Sequence, residues 1–171
     1  GRLSEIAEIM SAMKNMALIE TRKYARFMAN QQRLVEGIES AADDLLSFYP
    51  DLNAKNTGRR KGAMLVLIGS ERGFCGDFNE SVAAAVEDRV EADTLLIVVG
   101  QRLAARFEQD DRIQMQMDGP NVAEEVEPVL DTLLAGLQSI LKSGERWEAL
   151  DVLAHDENGF VVRHGLMPIS A

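Results

Sequence analysis

The sequence predicts an α/β protein in which one long helix precedes an open, mostly parallel sheet with an antiparallel edge hairpin. Residues 3–49 contain no proline and a single glycine, Gly37, so an unbroken helix is expected there. The apolar spacing then changes to short continuous runs, which are typical of buried parallel strands. Near the end, Asn158-Gly159 lies between two apolar segments and signals a hairpin.

The first segment, residues 1–50, predicts a coiled-coil helix that stops at Pro50. With Leu3 as heptad position a, 12 of 14 a and d positions are apolar, and only Glu20 and Gln31 interrupt the seam. Such a helix is about 70 Å long, whereas a domain of about 120 residues has a radius of gyration of about 14 Å. We therefore expect the seam to be covered by another copy, by another protein or by a C-terminal helix that is missing from these residues, and the isolated chain to self-associate through it. The alternative is a break at Gly37 that folds the helix back as a hairpin.

A polar linker, 51–62, separates this helix from a predicted Rossmann-like α/β domain, 63–171, with helices flanking its sheet. Strands are predicted at 63–68, 94–99, 113–117, 147–153 and 160–162. Helices are predicted after Asp77 or Asn79, at 103–107 and at 122–141. A capping box of Asn121 with Glu124 is expected to open the last of these helices.

Composition excludes several classes of function. The chain has 18 basic and 28 acidic side chains and a formal net charge of -10, which argues against general nucleic-acid binding. We see no signal peptide, and no apolar run approaches the roughly 20 residues of a membrane span. The single cysteine, Cys75, excludes an internal disulfide and fits a reducing compartment. A soluble or peripheral protein is expected.

The glycine-rich turn at 69–76 follows the first strand, where open α/β sheets usually bind ligands. Its glycines at 69, 73 and 76 do not form G-x-G-x-x-G, and the turn lacks the G-K-[ST] ending of a phosphate loop. Glu71 and Asp77 would repel a phosphate. Gly100, Gln101 and Arg102 follow the second strand without an acid for a ribose hydroxyl. The turn is therefore read as a tight strand-to-helix connection, and no cofactor is predicted.

Other candidate chemistry is weak. Cys75, near a helix N-terminus and Arg72, would have a lowered pKa, but a catalytic thiol needs a positioned base. His155 and His164 lie near the far end of the chain, so Cys75 is predicted to be a small packed residue and no catalytic residue is assigned. Two histidines and one cysteine without ligand spacing predict no metal site. The basic residues of the long helix are either a solvated face or a surface for an acidic partner: Arg22, Lys23, Arg26 and Arg33.

Three segments carry a family resemblance. Residues 70–79, SERGFCGDFN, resemble the S-[DE]-R-G-L-C-G-G-F-N signature of F-type ATP synthase gamma subunits, with Phe74 for Leu and Asp77 for Gly. Residues 9–17, IMSAMKNMA, are similar to the family's I-T-K-A-M-K-M-V-A and are followed by a basic pair at 22–23. Residues 166–169, LMPI, resemble the segment that closes the family's α/β domain. The resemblance covers nearly the whole chain in order.

The resemblance implies a central-stalk rotor subunit without an active site. It implies contacts with the alpha and beta subunits, the epsilon subunit and the membrane ring of c subunits, as a peripheral part of a complex at the cytoplasmic face of the membrane. Rotation would couple proton or sodium flow to nucleotide exchange. The residues that it places at partner contacts are Ile9, Met13, Lys14, Arg22, Lys23, Arg26, Glu71, Arg72, Cys75 and Gly76.

The sequence also departs from the family pattern. The family's C-terminal helix does not occur in the 171 residues, and Ser4, Glu5, Ile6 and Ser11 stand at positions where the family is more basic. A shortened form, a diverged form and an alternative synthase subunit all stay open. The other readings are a gamma-like scaffold that does not rotate and a small-ligand-binding α/β enzyme with a helical oligomerisation arm.

Overall fold

The computed structural model describes residues 1–48, 62–72, 77–141 and 147–168. The strands are β1 (Met64–Ile68), β2 (Leu95–Val99), β3 (Ile113–Met117), β4 (Ala149–His155) and β5 (Val161–Pro168). The helices are α1 (Arg2–Phe48), α2 (Phe78–Arg89), α3 (Gln101–Ala104) and α4 (Val126–Leu141), with 3-10 turns at Ala105–Phe107 and Ala123–Glu125. The predicted order of strands and helices is confirmed, while residues 51–61 of the predicted linker lie outside the described residues.

The five strands form one sheet in the order β3-β2-β1-β4-β5. The first four are parallel, and β5 pairs antiparallel with β4. The turn between β4 and β5 holds Gly159 at φ +81°, a conformation that glycine adopts without steric cost. The Asp156 carboxylate accepts the backbone N–H groups of Asn158 and Phe160, both at 2.9 Å. The predicted edge hairpin is confirmed.

The sheet is buried on both faces because side chains alternate along each strand. One face of β1, β2 and β4 packs against α1 and α4, and the other packs against α2, α3 and the 3-10 turn that follows α3. The first face buries Val66, Ile97, Val152 and their neighbours under Leu34, Ile38, Leu133 and Leu137; the second buries Leu65, Leu67, Leu96 and Val98 under Val82, Val86, Leu103 and Phe107. Helices on both faces explain the continuous apolar runs of the central strands.

Helix α1 runs without a break through Gly37, so the alternative in which it folds back as a hairpin is wrong. A Cβ atom added to Gly37 would lie 2.6 Å from Cδ2 of Leu130 in α4. The missing side chain therefore serves close contact between α1 and α4 rather than a hinge. An isolated helical glycine costs only about 1 kcal/mol, so the helix continues through it.

Helix α1 divides into two parts of different burial. Residues 2–26, here called the arm, are all exposed, with Leu3 84% and Met13 64% exposed. From Phe27 onward the helix lies across the sheet, and Leu34 and Ile38 are completely or almost completely buried. The expectation that the whole seam lacks an internal partner is therefore wrong for residues 27–42. The comparison of helix length with domain size holds only for a helix that leaves the domain from its end. Here the second half of α1 lies along the face of the sheet.

The prediction of Glu124 as the acid of the capping box is wrong. The backbone N–H of Asn121 donates to the carboxylate of Glu125 at 2.6 Å, and not to Glu124. Residues 123–125 form a 3-10 turn before α4 begins, so the acid that reaches back lies one position later. At α2, Asp77 precedes the helix without a side-chain capping bond, and the Asn79 side chain is instead directed to Ser70.

Candidate functional site

The carboxyl ends of β1, β2 and β3 are joined by one carboxylate. Oε2 of Glu71, three residues after β1, accepts the backbone N–H of Gln101 after β2 and of Gly119 after β3, each at 2.9 Å. Both are charge-assisted hydrogen bonds to amides that have no strand partner at these positions. The acid that the sequence presents as a barrier to phosphate therefore also has a structural role, because it holds three strand ends together.

We expect replacement of Glu71 to destabilise the sheet domain. Glu71→Ala removes both charge-assisted bonds and should lower the free energy of unfolding by about 1–3 kcal/mol, while Glu71→Gln, which keeps an acceptor oxygen, should cost less. Glu124→Ala is the matched control, since Glu124 is an exposed acid on the same side of the molecule and should change stability by less than about 0.5 kcal/mol. Urea unfolding measures all three, and equal effects of Glu71→Ala and Glu124→Ala would contradict this role.

The strand order reverses between β1 and β4, and at such a point an open α/β sheet usually has a ligand crevice. Here the chain's own polar groups pair with one another. The Ser70 N–H donates to Oδ1 of Asn79 at 2.9 Å, and Nδ2 of Asn79 donates to the Ser70 hydroxyl at 2.8 Å. Nε2 of Gln31, from α1, donates to the carbonyl of Gly69 at 3.2 Å. Gln31 thus interrupts the apolar seam because it bonds to the end of β1.

Three aromatic rings pack beside these polar groups. Phe27 of α1 meets Phe78 at the start of α2 edge to face, with ring centroids 4.8 Å apart. Phe78 stacks on His155 at the end of β4, with centroids 3.8 Å apart and ring planes 20° from parallel. All three residues are at least 93% buried. Within the described part of the chain, the usual ligand position is therefore filled by protein side chains.

His155 is held in its neutral form. Burial lowers the pKa of its imidazole, and the hydrogen bond to the backbone of Phe78 and the charges of Asp77 and Asp156 only partly offset this. Nε2 of His155 lies 3.0 Å from the carbonyl oxygen of Phe78. Because a carbonyl only accepts, Nε2 carries the proton. A neutral, buried donor of this kind suits a structural role.

An open groove of about 780 Å³ lies between α1 and the segment that precedes α4. Of the described residues, four basic side chains line it, namely Lys23, Arg26, Arg33 and Arg72, together with the acids Glu71, Glu124 and Glu125. Four of the predicted contact residues therefore come together here, two from the long helix and two from the turn after β1. Arg33, a member of the basic set of the long helix that was not a predicted contact, lines the groove with them. Arg22 is exposed on the same helix but does not line the groove.

Three further predicted contact residues lie apart from the groove. Ile9, Met13 and Lys14 are exposed on the arm, half a helix away. Cys75 and Gly76 lie outside the described residues. Among the residues that are described, no three His, Cys, Asp or Glu side chains form a group that would hold a metal ion. No helix in the same ranges is long and apolar enough to cross a bilayer.

Sequence reasoning missed the Phe27–Phe78–His155 stack. In the sequence, Phe27 is one more seam residue and Phe78 is part of the segment 70–79. His155 is predicted to lie far from the glycine-rich turn. Gln31 was the available signal, because a polar residue in an otherwise apolar seam needs a specific hydrogen-bond partner when it is buried. Nothing in the spacing identifies the carbonyl of Gly69 as that partner.

Comparison with known proteins identifies the family. The family model described as ATP synthase matches residues 2–155, most of the chain. The chain belongs to the ATP synthase gamma-subunit family. The ATP synthase gamma chain of Rickettsia felis is 25% identical over 116 residues, which are 59% of this chain and 40% of that protein. The chain thus spans less than half the length of this curated relative.

Solved structures of ATP synthases resemble the fold of this family member. The central stalk and c-ring structure of the Tetrahymena thermophila mitochondrial ATP synthase contains a chain with a TM-score of 0.54 and 18% identity, covering 89% of this chain and 71% of that one. A chain in the rotor of the Euglena gracilis mitochondrial enzyme has a TM-score of 0.50 and 12% identity, over 93% of this chain and 60% of that one. At these identities the likeness shows the fold: a long helix followed by a mostly parallel sheet.

Proposed function

We propose that this chain is the gamma subunit of an F-type ATP synthase, the central stalk that transmits torque between a membrane ring of c subunits and a hexamer of alpha and beta subunits. The observation that carries the proposal is the arm. It is a helix of 25 residues, about 38 Å long, whose base is continuous with the domain core and whose apolar side chains are exposed. A shaft needs this combination of a fixed base and an exposed surface for partners.

The arm has a surface suited to helical partners. Leu3, Ile6, Met10 and Met13 occupy heptad positions a and d, and Ile9 and Met16 add position g. A stripe that covers three of seven positions is typical of a helix in a bundle rather than of a narrow two-stranded seam. The arm also has five basic and three acidic side chains, in a chain of net charge -10. Its surface therefore fits apolar and acidic partner surfaces.

The predicted contact residues fall into an apolar group and a basic group, which match these two kinds of partner surface. Ile9 and Met13 would pack against partner helices, with Lys14 and Arg22 beside them on the arm. Lys23, Arg26 and Arg72, around the groove, would meet acidic side chains of the surrounding subunits. The sheet domain would contact the epsilon subunit and the c-ring, and the chain would then lie at the cytoplasmic face of the membrane as a peripheral part of the complex. Cys75 and Gly76 are assigned to the same contact by family resemblance.

The subunit would contribute no catalytic group and bind no nucleotide itself. The filled crevice at the β1–β4 strand reversal supports this, as does the lack of a phosphate-binding glycine fingerprint. Calorimetry of the isolated chain with ATP, ADP, NAD and NADP at millimolar concentration should give no saturable heat. Saturable micromolar binding would favour the small-ligand-binding enzyme with a helical arm.

Affinity purification tests the assembly. We expect a tag on the sheet domain to recover alpha, beta, epsilon and c subunits from the source cells, with ATP hydrolysis in the eluate. Recovery of the chain without alpha and beta subunits would contradict the proposal. Recovery of an inactive or partial set of subunits would favour the scaffold that does not rotate.

A further inference from the structure

The arm leaves the domain at one residue. Counting from the N-terminus, Phe27 is the first buried side chain of α1, and Gln31 lies one helical turn later on the same face. Phe27 packs on Phe78, which stacks on His155, and Gln31 donates to the carbonyl of Gly69. These contacts tie the point of exit to α2, β4 and β1 together.

We propose that the Phe27–Phe78–His155 stack, with the Gln31–Gly69 hydrogen bond, is a positioning element that sets the angle at which the arm leaves the sheet domain. If the proposed function holds, torque passes between the domain and the shaft through these residues. The buried side chains further along α1, such as Leu34 and Ile38, hold the helix on the sheet.

The geometry favours positioning over simple adhesion. Aromatic pairs have preferred relative orientations, edge to face or offset-stacked, whereas aliphatic contacts are nearly non-directional. The hydrogen bonds of Gln31 and of His155 add two further directions. The angle matters because the arm is long: a tilt of about 10° at its base moves the tip of a 38 Å helix by about 7 Å.

Burial in the stack favours the neutral form of His155. Among the described residues, the charged groups near the ring are Asp77 before α2 and Asp156 in the β4–β5 turn, and from α1 the Tyr24 hydroxyl lies near that turn at Gly159. Because burial lowers the pKa of His155, a form in which the ring is exposed to water takes up a proton that the stacked form does not. The stacked form is therefore fully stable above about pH 6.5 and loses stability below it relative to the form with an exposed ring, by at most about tenfold in that equilibrium per pH unit.

Distance measurement between two spin labels tests the proposal in the chain itself. One label replaces Asn15, which is exposed on the arm, and the other replaces Asp88, exposed on α2, in a Cys75→Ser background. Labelled protein is diluted with excess unlabelled protein so that self-association does not add distances. The width of the distance distribution then reports how firmly the angle of the arm is set.

Phe27→Leu is the main variant because leucine keeps an apolar side chain but has no ring. We expect the distribution to broaden while the melting temperature stays close to that of wild type, and Phe27→Ala to broaden it further. Hydrogen exchange of the amides near residue 27 should quicken by up to about tenfold. The control is Phe107→Ala: Phe107 is as buried as Phe27, at 7% exposed, but lies on the opposite face of the sheet, so this variant should lower stability without broadening the distribution.

Acidification supplies a second part of the experiment. In the wild type the distribution should broaden between pH 7 and pH 5, and in His155→Gln, which keeps a neutral N–H donor, it should change far less. Wild-type widths in both Phe27 variants would overturn the proposal, as would equal pH dependence in His155→Gln. None of these measurements uses ATP synthase activity, so failure of the proposed function would leave their outcome unaffected.

In a purified complex, Phe27→Leu should reduce ATP-driven ion pumping more than ATP hydrolysis.

Discussion

Deletion of residues 1–42 is expected to unfold the sheet domain, whereas deletion of residues 1–25 should leave its stability nearly unchanged. The longer deletion removes Leu34, Val35 and Ile38, which cover one face of the sheet. Burial of each such side chain contributes about 1.5–3 kcal/mol, so their joint loss is comparable with the whole stability of a domain, about 5–15 kcal/mol. The shorter deletion removes only exposed side chains.

Urea unfolding followed by circular dichroism measures both deletions. A matched pair of point variants gives a finer version: Leu34→Ala should cost about 2–5 kcal/mol, and Met13→Ala less than about 0.5 kcal/mol. The experiment also tests the predicted division of the chain at residue 50, because a domain of residues 63–171 that folds alone would survive both deletions. A cooperative transition in the longer deletion at the wild-type urea concentration would contradict the observed packing of α1.

The apolar stripe of the arm gives the second large effect. We expect the isolated chain to self-associate through this stripe, and Ile9→Asp together with Met13→Asp to weaken that association by at least about a hundredfold, because each apolar side chain kept out of water contributes about 1.5–3 kcal/mol. Ser11→Asp with Asn15→Asp is the control. It adds the same charge at heptad positions b and f, on the opposite side of the helix.

Sedimentation of the three proteins decides the matter, with circular dichroism to check that the sheet domain stays folded in each. The double variant Ile9→Asp with Met13→Asp should also reduce recovery of alpha and beta subunits with the tagged chain. A wild-type chain that stays monomeric at high concentration would contradict the expectation, and so would equal sedimentation of the stripe and control variants.

The sequence predicts the order and type of the elements well because their signals are local. The placement of proline and glycine gives the limits of α1, continuous apolar runs indicate β1 and β2, and Asn158-Gly159 indicates the hairpin. The exposure of the arm also followed from its length. Each of these features depends on spacing within a few residues or on the rise of a helix, which tertiary contacts seldom change.

The position of α1 on the sheet was not predictable, because heptad spacing is the same whether a helix packs on a partner chain or on its own domain. Leu34 and Met13 look alike in the sequence, yet one is completely buried and the other is 64% exposed. Glu71 was likewise assigned only to repulsion of phosphate and to partner contact, since its hydrogen-bond partners lie 30 and 48 residues away. Such contacts depend on the sheet order, which local patterns do not encode.

Observation of rotation tests the central claim most directly. The complex purified through this chain is fixed to a surface by its beta subunits, and a bead or fluorophore is attached to the sheet domain at Asp88. We predict that ATP drives rotation of the label in one direction, and that Ile9→Asp with Met13→Asp abolishes it. A complex that contains the chain and hydrolyses ATP while the label stays still would contradict the rotor assignment.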